Sequence, residues 1–174
     1  MLSKRSTLSA EWPACVLALG GTLVLASARG ERRVAAQDYF QGLFATARQD
    51  DELLVACELP CIAPGDAGER QHFDELARRH GDYAVAGLAA CAQWRSGTLL
   101  DVRLAFLSLG DRPTRAHAAE AILQAGPLTA ARVDEADAAL RKELDPFADL
   151  THSAATKKQL AATLMRRAVQ RLSA

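Results

Sequence analysis

Two apolar runs, Tyr83 to Trp94 and Leu99 to Leu109, are separated by only four residues, with Ser96-Gly97 at the turn. Both runs read as strands, and a connection this short leaves an antiparallel pair as the simplest solution. That hairpin needs something to cover it. Three helical patterns downstream are placed to do so. The first is expected from Pro113, with Asp111 just before it, to Gly126, following the preference for Pro in the first turn and Gly after the last. The second begins near Thr129, with Val133, Ala136, Leu140 and Leu144 at helical spacing. The third starts near Thr151 or Ser153 and lines Leu160, Leu164, Ala168 and Leu172 on one face, with Met165 and Val169 beside it. Stripes of this kind hold helices against a sheet, since burying one Leu is worth about 1.5–3 kcal/mol.

The first third of the chain has a different rhythm. Glu11 to Leu19 reads as a short helix stopped by Gly20-Gly21. Thr22 to Ser27 and Arg32 to Val34 read as a strand hairpin turned at Ala28–Glu31. Asp38 to Phe44 fits a short helix, and Glu52 to Leu59 a strand closed by Pro60. The stretch Pro64-Gly65-Asp66-Ala67-Gly68-Glu69 is a loop and a candidate boundary. Gln71 to Ala77 is extended or mixed. The expected class is α+β.

The 174 residues suffice for one ordinary domain or two small ones, and 49% apolar content supports a core built on Leu, Val and Ala. A formal net charge of zero argues against a nucleic-acid partner, whose footprint is a basic excess. Arg29, Arg32 and Arg33 cluster early, and the last helix carries Lys157, Lys158, Arg166, Arg167 and Arg171; these are expected to be solvated faces. None of the four cysteines (Cys15, Cys57, Cys61, Cys91) forms a Cys-x-x-Cys pair, so buried free thiols in a reducing compartment are expected, without a metal. Lys4, Arg5 and the apolar run Ala14 to Ala28 imitate an export signal, but Glu11, Trp12 and Pro13 interrupt the approach and Gly20-Gly21 splits the run. The run is too short to span a membrane. The four histidines show no ligand spacing, and no hydrolase constellation is apparent.

One segment is more specific: Leu76-Ala77-Arg78-Arg79-His80-Gly81-Asp82-Tyr83-Ala84. Gly81 permits a turn that a side chain would oppose, and Asp82-Tyr83 then stands at the mouth of a sheet. The segment resembles the Arg-Arg-x-Gly-Asp-Tyr-Ala signature of the FAD-carrying medium subunits of molybdenum hydroxylases, the carbon monoxide dehydrogenase and xanthine dehydrogenase family. Further landmarks in suitable order resemble the same family: Glu11-Trp12-Pro13-Ala14, Ala26-Ser27-Ala28-Arg29-Gly30-Glu31-Arg32, Phe40-Gln41-Gly42-Leu43-Phe44, Asp51-Glu52-Leu53-Leu54-Val55 and Gly110-Asp111-Arg112-Pro113-Thr114-Arg115-Ala116.

The resemblance implies two domains. Residues 1–64 would be the C-terminal part of the FAD-binding domain, a remnant of its second subdomain. Residues 70–174 would be the flavoprotein C-terminal domain, a three-stranded antiparallel sheet packed with a helical bundle. It implies FAD as cofactor. Electrons would reach it from a large subunit holding Mo-pterin through 2Fe–2S clusters on a small subunit, in a cytoplasmic heteromeric complex, and pass on to an acceptor. The substrate would be chosen on another subunit. Candidate cofactor-binding residues are Leu54, which aligns with an aliphatic residue packing on the isoalloxazine, and Asp82 and Tyr83, which border the ring. Asp74 also qualifies, standing where relatives carry a flavin-contacting lysine. No catalytic residue is expected on this chain. Arg78 and Arg79 are expected at a solvated surface or a neighbouring subunit. The family's Gly-rich flavin phosphate loops fall before the first matched residue, with Thr7 near the place of an expected acidic residue. This suggests a truncated or split form, or an assembly module that no longer holds flavin.

Overall fold

The computed structural model describes residues 11–61, 68–79 and 81–174. Lys4, Arg5, Thr7, His80 and most of the loop expected at Pro64–Glu69 lie outside the described residues. Helix α1 (Glu11–Ala18) leads to strands β1 (Thr22–Ser27) and β2 (Gly30–Ala35), then helix α2 (Ala36–Tyr39) and the short strands β3 (Phe40–Gly42) and β4 (Ala45–Thr46). Strand β5 (Leu53–Glu58) returns beside β1, giving an antiparallel sheet of order β2-β1-β5. A second antiparallel sheet follows from β6 (Glu69–Ala77), β7 (Ala84–Arg95), β8 (Thr98–Leu107) and β9 (Thr114–Arg115), in that order. Helices α3 (His117–Leu123), α4 (Ala130–Glu143) and α5 (Ala154–Leu172) complete the chain.

Strand β7 is buried on both faces, and its sequence Ala-Val-Ala-Gly-Leu-Ala-Ala-Cys-Ala explains how. Small side chains let structure approach from either side. One face, with Leu88, Ala90 and Leu104 and Phe106 of β8, meets Leu164, Met165, Ala168 and Leu172 of α5, backed by Leu140 of α4 and Leu123 of α3. The other face, with Ala89, Ala105 and Leu107, meets Ala14 and Leu17 of α1 and Leu25 of β1. The second sheet is thus a wall between two cores. Gly87 shows how tight the wall is: a Cβ there would sit 2.7 Å from a methyl of the buried Leu107. The apolar run Ala14 to Ala28 is spent on α1 and β1, and β1 is the central strand of the first sheet.

The α4 and α5 patterns are realised. Thr129 caps α4 by accepting from the Arg132 N–H (3.2 Å), and Ser153 caps α5 by accepting from the Thr156 N–H (3.1 Å). Three expectations change, and the open one at Gln71–Ala77 resolves as a strand. Pro113 does not open a helix: Thr114 and Arg115 pair with Phe106 and Ala105 as a short fourth strand, and α3 starts only at His117. Its anchor is Glu120, buried to 2%, which accepts from the Leu104 N–H (2.7 Å) and from Arg115 (3.0 and 2.7 Å). The helix expected at Asp38–Phe44 ends at Tyr39, because the chain reverses through Gly42 and Phe44 (φ +58°) into the β3–β4 pair. Gln71–Ala77 is fully extended as part of β6. The cysteines are free but not uniformly buried: Cys91 is buried and points its thiol at the Ala18 carbonyl (3.0 Å), whereas Cys57, on the edge strand β5, and Cys61, beyond its end, are exposed.

Two outcomes follow from this packing. Gly87→Ala should lower unfolding free energy by about 1–3 kcal/mol, measured by urea denaturation, because the crowded Leu107 is itself fixed in the core. A thiol reagent should modify Cys57 and Cys61 in the native protein and reach Cys91 only after unfolding, since burial pushes the Cys91 thiol up to about 11.

Candidate functional site

The Arg-rich hairpin is tied to the segment that leads into β5. Arg32 grips Glu52 with two bonds (2.6 and 2.9 Å) and also donates to the Ala47 carbonyl (2.6 Å). The Glu52 side chain is only 4% exposed and additionally accepts from the Gln49 N–H (2.7 Å). Arg29 bonds Asp51 and Gln49, and Arg33 bonds Glu58 at 3.1 and 2.9 Å. Arg32 is therefore a structural clamp on a buried carboxylate, whereas Arg29 and Arg33 pair with acids and stay solvated, their side chains 62% and 59% exposed. Arg29, Arg32, Gln49 and Glu52 line a polar cavity of about 150 Å³ at the hairpin's turn. The Arg32 guanidinium and the Gln49 N–H together hold the Glu52 carboxyl down from 4.5 to about 2.

The second feature is the corner between β6 and β7. Gly81 adopts φ +79°, with nothing within 4 Å of where a Cβ would stand. Asp82 closes the corner: its N–H donates to the Arg79 carbonyl (3.2 Å), and its carboxylate accepts from the Tyr83 N–H (2.9 Å) and from Arg78 (3.2 Å), with Arg79 at 3.8 Å. The Asp82 carboxylate is 16% exposed, while Tyr83 is 82% exposed. The corner thus withdraws its charge into local contacts and presents a phenol ring to the outside.

Of the four residues proposed from sequence, none lines the polar cavity. Leu54 pairs with Leu25 across the first sheet and packs on the second core, whose members include Ala84, the residue after Tyr83. That core takes in both Leu54 and Ala84, which belong to different sheets. Asp74 lies on the opposite face of the second sheet, opposite Leu88, where Arg167 of α5 engages it at 3.2 Å. The ion pairs of Arg29, Arg32 and Arg33 were missed because their partners stand 20–25 residues away, across or beyond β1, beyond any local pattern. The Arg78–Asp82 contact was within reach, since the two stand four residues apart.

FAD can be tested against these residues. An exposed phenol ring beside an open glycine suits the flat, largely apolar ring end of a flavin. The Gly20-Gly21 pair does not suit its pyrophosphate. A Cβ at Gly21 would lie 2.7 Å from Val16 and 2.8 Å from Leu59, so this glycine serves packing and leaves no room for a ligand. Among the described residues no group of His, Cys, Asp and Glu is arranged to hold a metal ion, and no helix is long and apolar enough to cross a membrane.

Comparison with known proteins gives a consistent answer. Residues 3–62 match the FAD binding domain in molybdopterin dehydrogenase, and residues 71–172 match the CO dehydrogenase flavoprotein C-terminal domain. The chain is 34% identical over 164 residues to caffeine dehydrogenase subunit beta of Pseudomonas sp. strain CBB1, covering 94% of this chain and 55% of that protein. It is 32% identical to the nicotine 6-hydroxylase medium subunit of Paenarthrobacter nicotinovorans, covering 91% of this chain and 54% of the relative. A carbon monoxide dehydrogenase structure from Hydrogenophaga pseudoflava superposes with a TM-score of 0.88 at 30% identity, over 94% of this chain and 56% of that one. The chain spans about half the length of the curated relatives it matches.

Glu52→Gln tests the clamp. The unfolded chain takes up a proton near 4.5 that the folded chain refuses until about 2, so the clamp stabilises the fold fully above the first value and is lost as pH falls through the second. The variant should melt below the wild type at pH 7, and the gap between the two melting curves should close between those two values.

Proposed function

The chain belongs to the FAD-binding flavoprotein family of the molybdopterin dehydrogenases, and from that premise we propose that it is the flavin-bearing component of a molybdenum hydroxylase. In this reading it works beside a large Mo-pterin subunit and a small iron–sulfur subunit, with residues 1–64 belonging to the FAD-binding domain and residues 70–174 forming the C-terminal domain. Bound FAD would accept electrons from the iron–sulfur clusters and deliver them to an acceptor; the protein's share is to seat the ring and set its surroundings. The observation that supports this most is that both matched segments, 3–62 and 71–172, belong to one kind of flavoprotein and occur in one order.

Tyr83 is assigned the ring-stacking role, with Leu54 as an aliphatic neighbour. A bare Asp82 carboxylate would oppose negative charge on the reduced flavin. With Arg78 and Arg79 beside it, the corner carries two positive charges against one negative, so its net field favours the anionic reduced form. Asp74, engaged by Arg167 behind the sheet, would act on the flavin only through the strand that carries it. The relatives are named for carbon monoxide and for the nitrogen heterocycles caffeine, nicotine and quinoline, at similar identity. That supports substrate choice lying outside this chain. The four free cysteines support a reducing compartment, the cytoplasm.

The test is the visible spectrum of the assembly purified through a tag on this chain. About one FAD per chain is expected. Tyr83→Ala should raise the flavin dissociation constant roughly 2- to 12-fold, the worth of one aromatic stack. An assembly that contains the Mo-pterin and iron–sulfur partners but no flavin on or beside this chain would show it to be an assembly module instead.

A further inference from the structure

We propose that Arg112 is a positioning residue for the flavin: from the turn after β8 it holds β3 against the second sheet, and so sets the spacing between the strand carrying Leu54 and the corner carrying Tyr83. Arg112 has this role only if Leu54 and Tyr83 face the ring, as assigned above. Its side chain is exposed, yet its Nη1 donates to the carbonyls of Phe40 (3.4 Å) and Gln41 (3.1 Å), 72 and 71 residues earlier. Those carbonyls belong to β3, inside the segment 3–62, whereas Arg112 belongs to the segment 71–172. A guanidinium bonded to backbone carbonyls of another element fixes where that element lies.

The turn that presents Arg112 is itself braced. Pro113 restricts its backbone, and the Thr114 hydroxyl donates to the Arg112 carbonyl (3.1 Å). A Cβ at Gly42 would sit 3.1 Å from Asp111 Oδ2, so β3 and the turn meet with little slack. Register locates the contact. Leu107 lies opposite Gly87, so the residues after β8 run level with Ala84, where β7 leaves the Asp82–Tyr83 corner. Phe40, one of the two residues Arg112 holds, packs on the core that also takes in Leu54 and Ala84. Its ring meets that of Tyr39 edge-on at 5.1 Å.

A second fastening joins the two segments away from the corner. The Cys91 thiol and Arg103 Nη1 both donate to the Ala18 carbonyl, at 3.0 and 3.4 Å, and Cys91 pairs with Arg103 across β7 and β8. From Cys91 to Ala84 the strand runs roughly 20–25 Å. With the segments pinned at that point in the core, the opening at the corner depends on what ties it there, and Arg112 supplies a tie. The spacing matters because a gap of about 1 Å at a packed ring forfeits up to roughly half of the contact's attraction.

Flavin emission and flavin dissociation, measured on the assembly purified through a tag on this chain, test it. Arg112→Ala should raise the emission per bound flavin and should raise the dissociation constant roughly two- to tenfold, no more than the loss of the stack itself. Arg112→Lys keeps a cationic donor and should restore most of both. In a Tyr83→Ala background the effect of Arg112→Ala should largely vanish, because it acts through that ring. Amides of residues 40–46 should exchange with deuterium faster in Arg112→Ala, and its melting temperature should fall by no more than about 4 °C, as at other exposed sites. Unchanged emission and affinity in Arg112→Ala would overturn the proposal. So would losses that add in full to those of Tyr83→Ala, or a larger fall in melting, either of which makes Arg112 a general structural tie. A wild-type assembly without flavin would defeat the assignment of Leu54 and Tyr83, and this inference with it; a bound flavin indifferent to Arg112 defeats this inference alone.

Discussion

Everything in this molecule depends on β7 being narrow enough to be covered twice. A strand whose fully buried residues are Ala, Gly and Cys with one central Leu accepts α5 on one face and α1 with the first sheet on the other. Bulkier residues would force one of the two cores away. Because both cores share this wall, the N-terminal sheet and the C-terminal helices hold fixed positions relative to each other. The β6–β7 corner, which emerges from the end of the same strand, then has a rigid base. Strand burial on both faces is usual in parallel sheets; here an antiparallel sheet reaches it through small side chains.

The corner is built on that rigidity. Gly81 supplies a backbone conformation that side chains resist, Asp82 ties its own carboxylate into the turn, and Arg78 and Arg79 neutralise it. What remains exposed is the Tyr83 ring. An exposed aromatic on a fixed turn is costly to solubility unless something stacks on it, and it binds without losing much side-chain entropy. The Arg32–Glu52 clamp performs a parallel service for β5, fixing the approach to the strand that carries Leu54.

The sequence exposed the parts of this design that are local. The β7–β8 hairpin could be read because its turn is short, and α4 and α5 because their apolar stripes and Thr129 and Ser153 caps sit within one element. The resemblance carried by Arg78–Ala84 brought out the family, which spacing alone does not reveal. Hidden were the features set by distant pairing. Thr114 and Arg115 look like the start of a helix until β8 recruits them. Arg29, Arg32 and Arg33 look unpaired until β1 brings Asp51, Glu52 and Glu58 alongside. Cys57 looks like a buried thiol until the strand order leaves β5 at an edge. In each case the deciding neighbour lies outside any local window, so no periodicity could record it.

The central claim is that the Tyr83 ring lies against a flavin. Aromatic stacking quenches flavin fluorescence, so the emission of the flavin in the purified assembly reads the contact directly. Weak emission that rises when Tyr83 is replaced by Ala, with flavin content held constant by added FAD, is the predicted result. Emission from a stoichiometric flavin that is the same with and without the phenol would place the ring elsewhere and contradict the account.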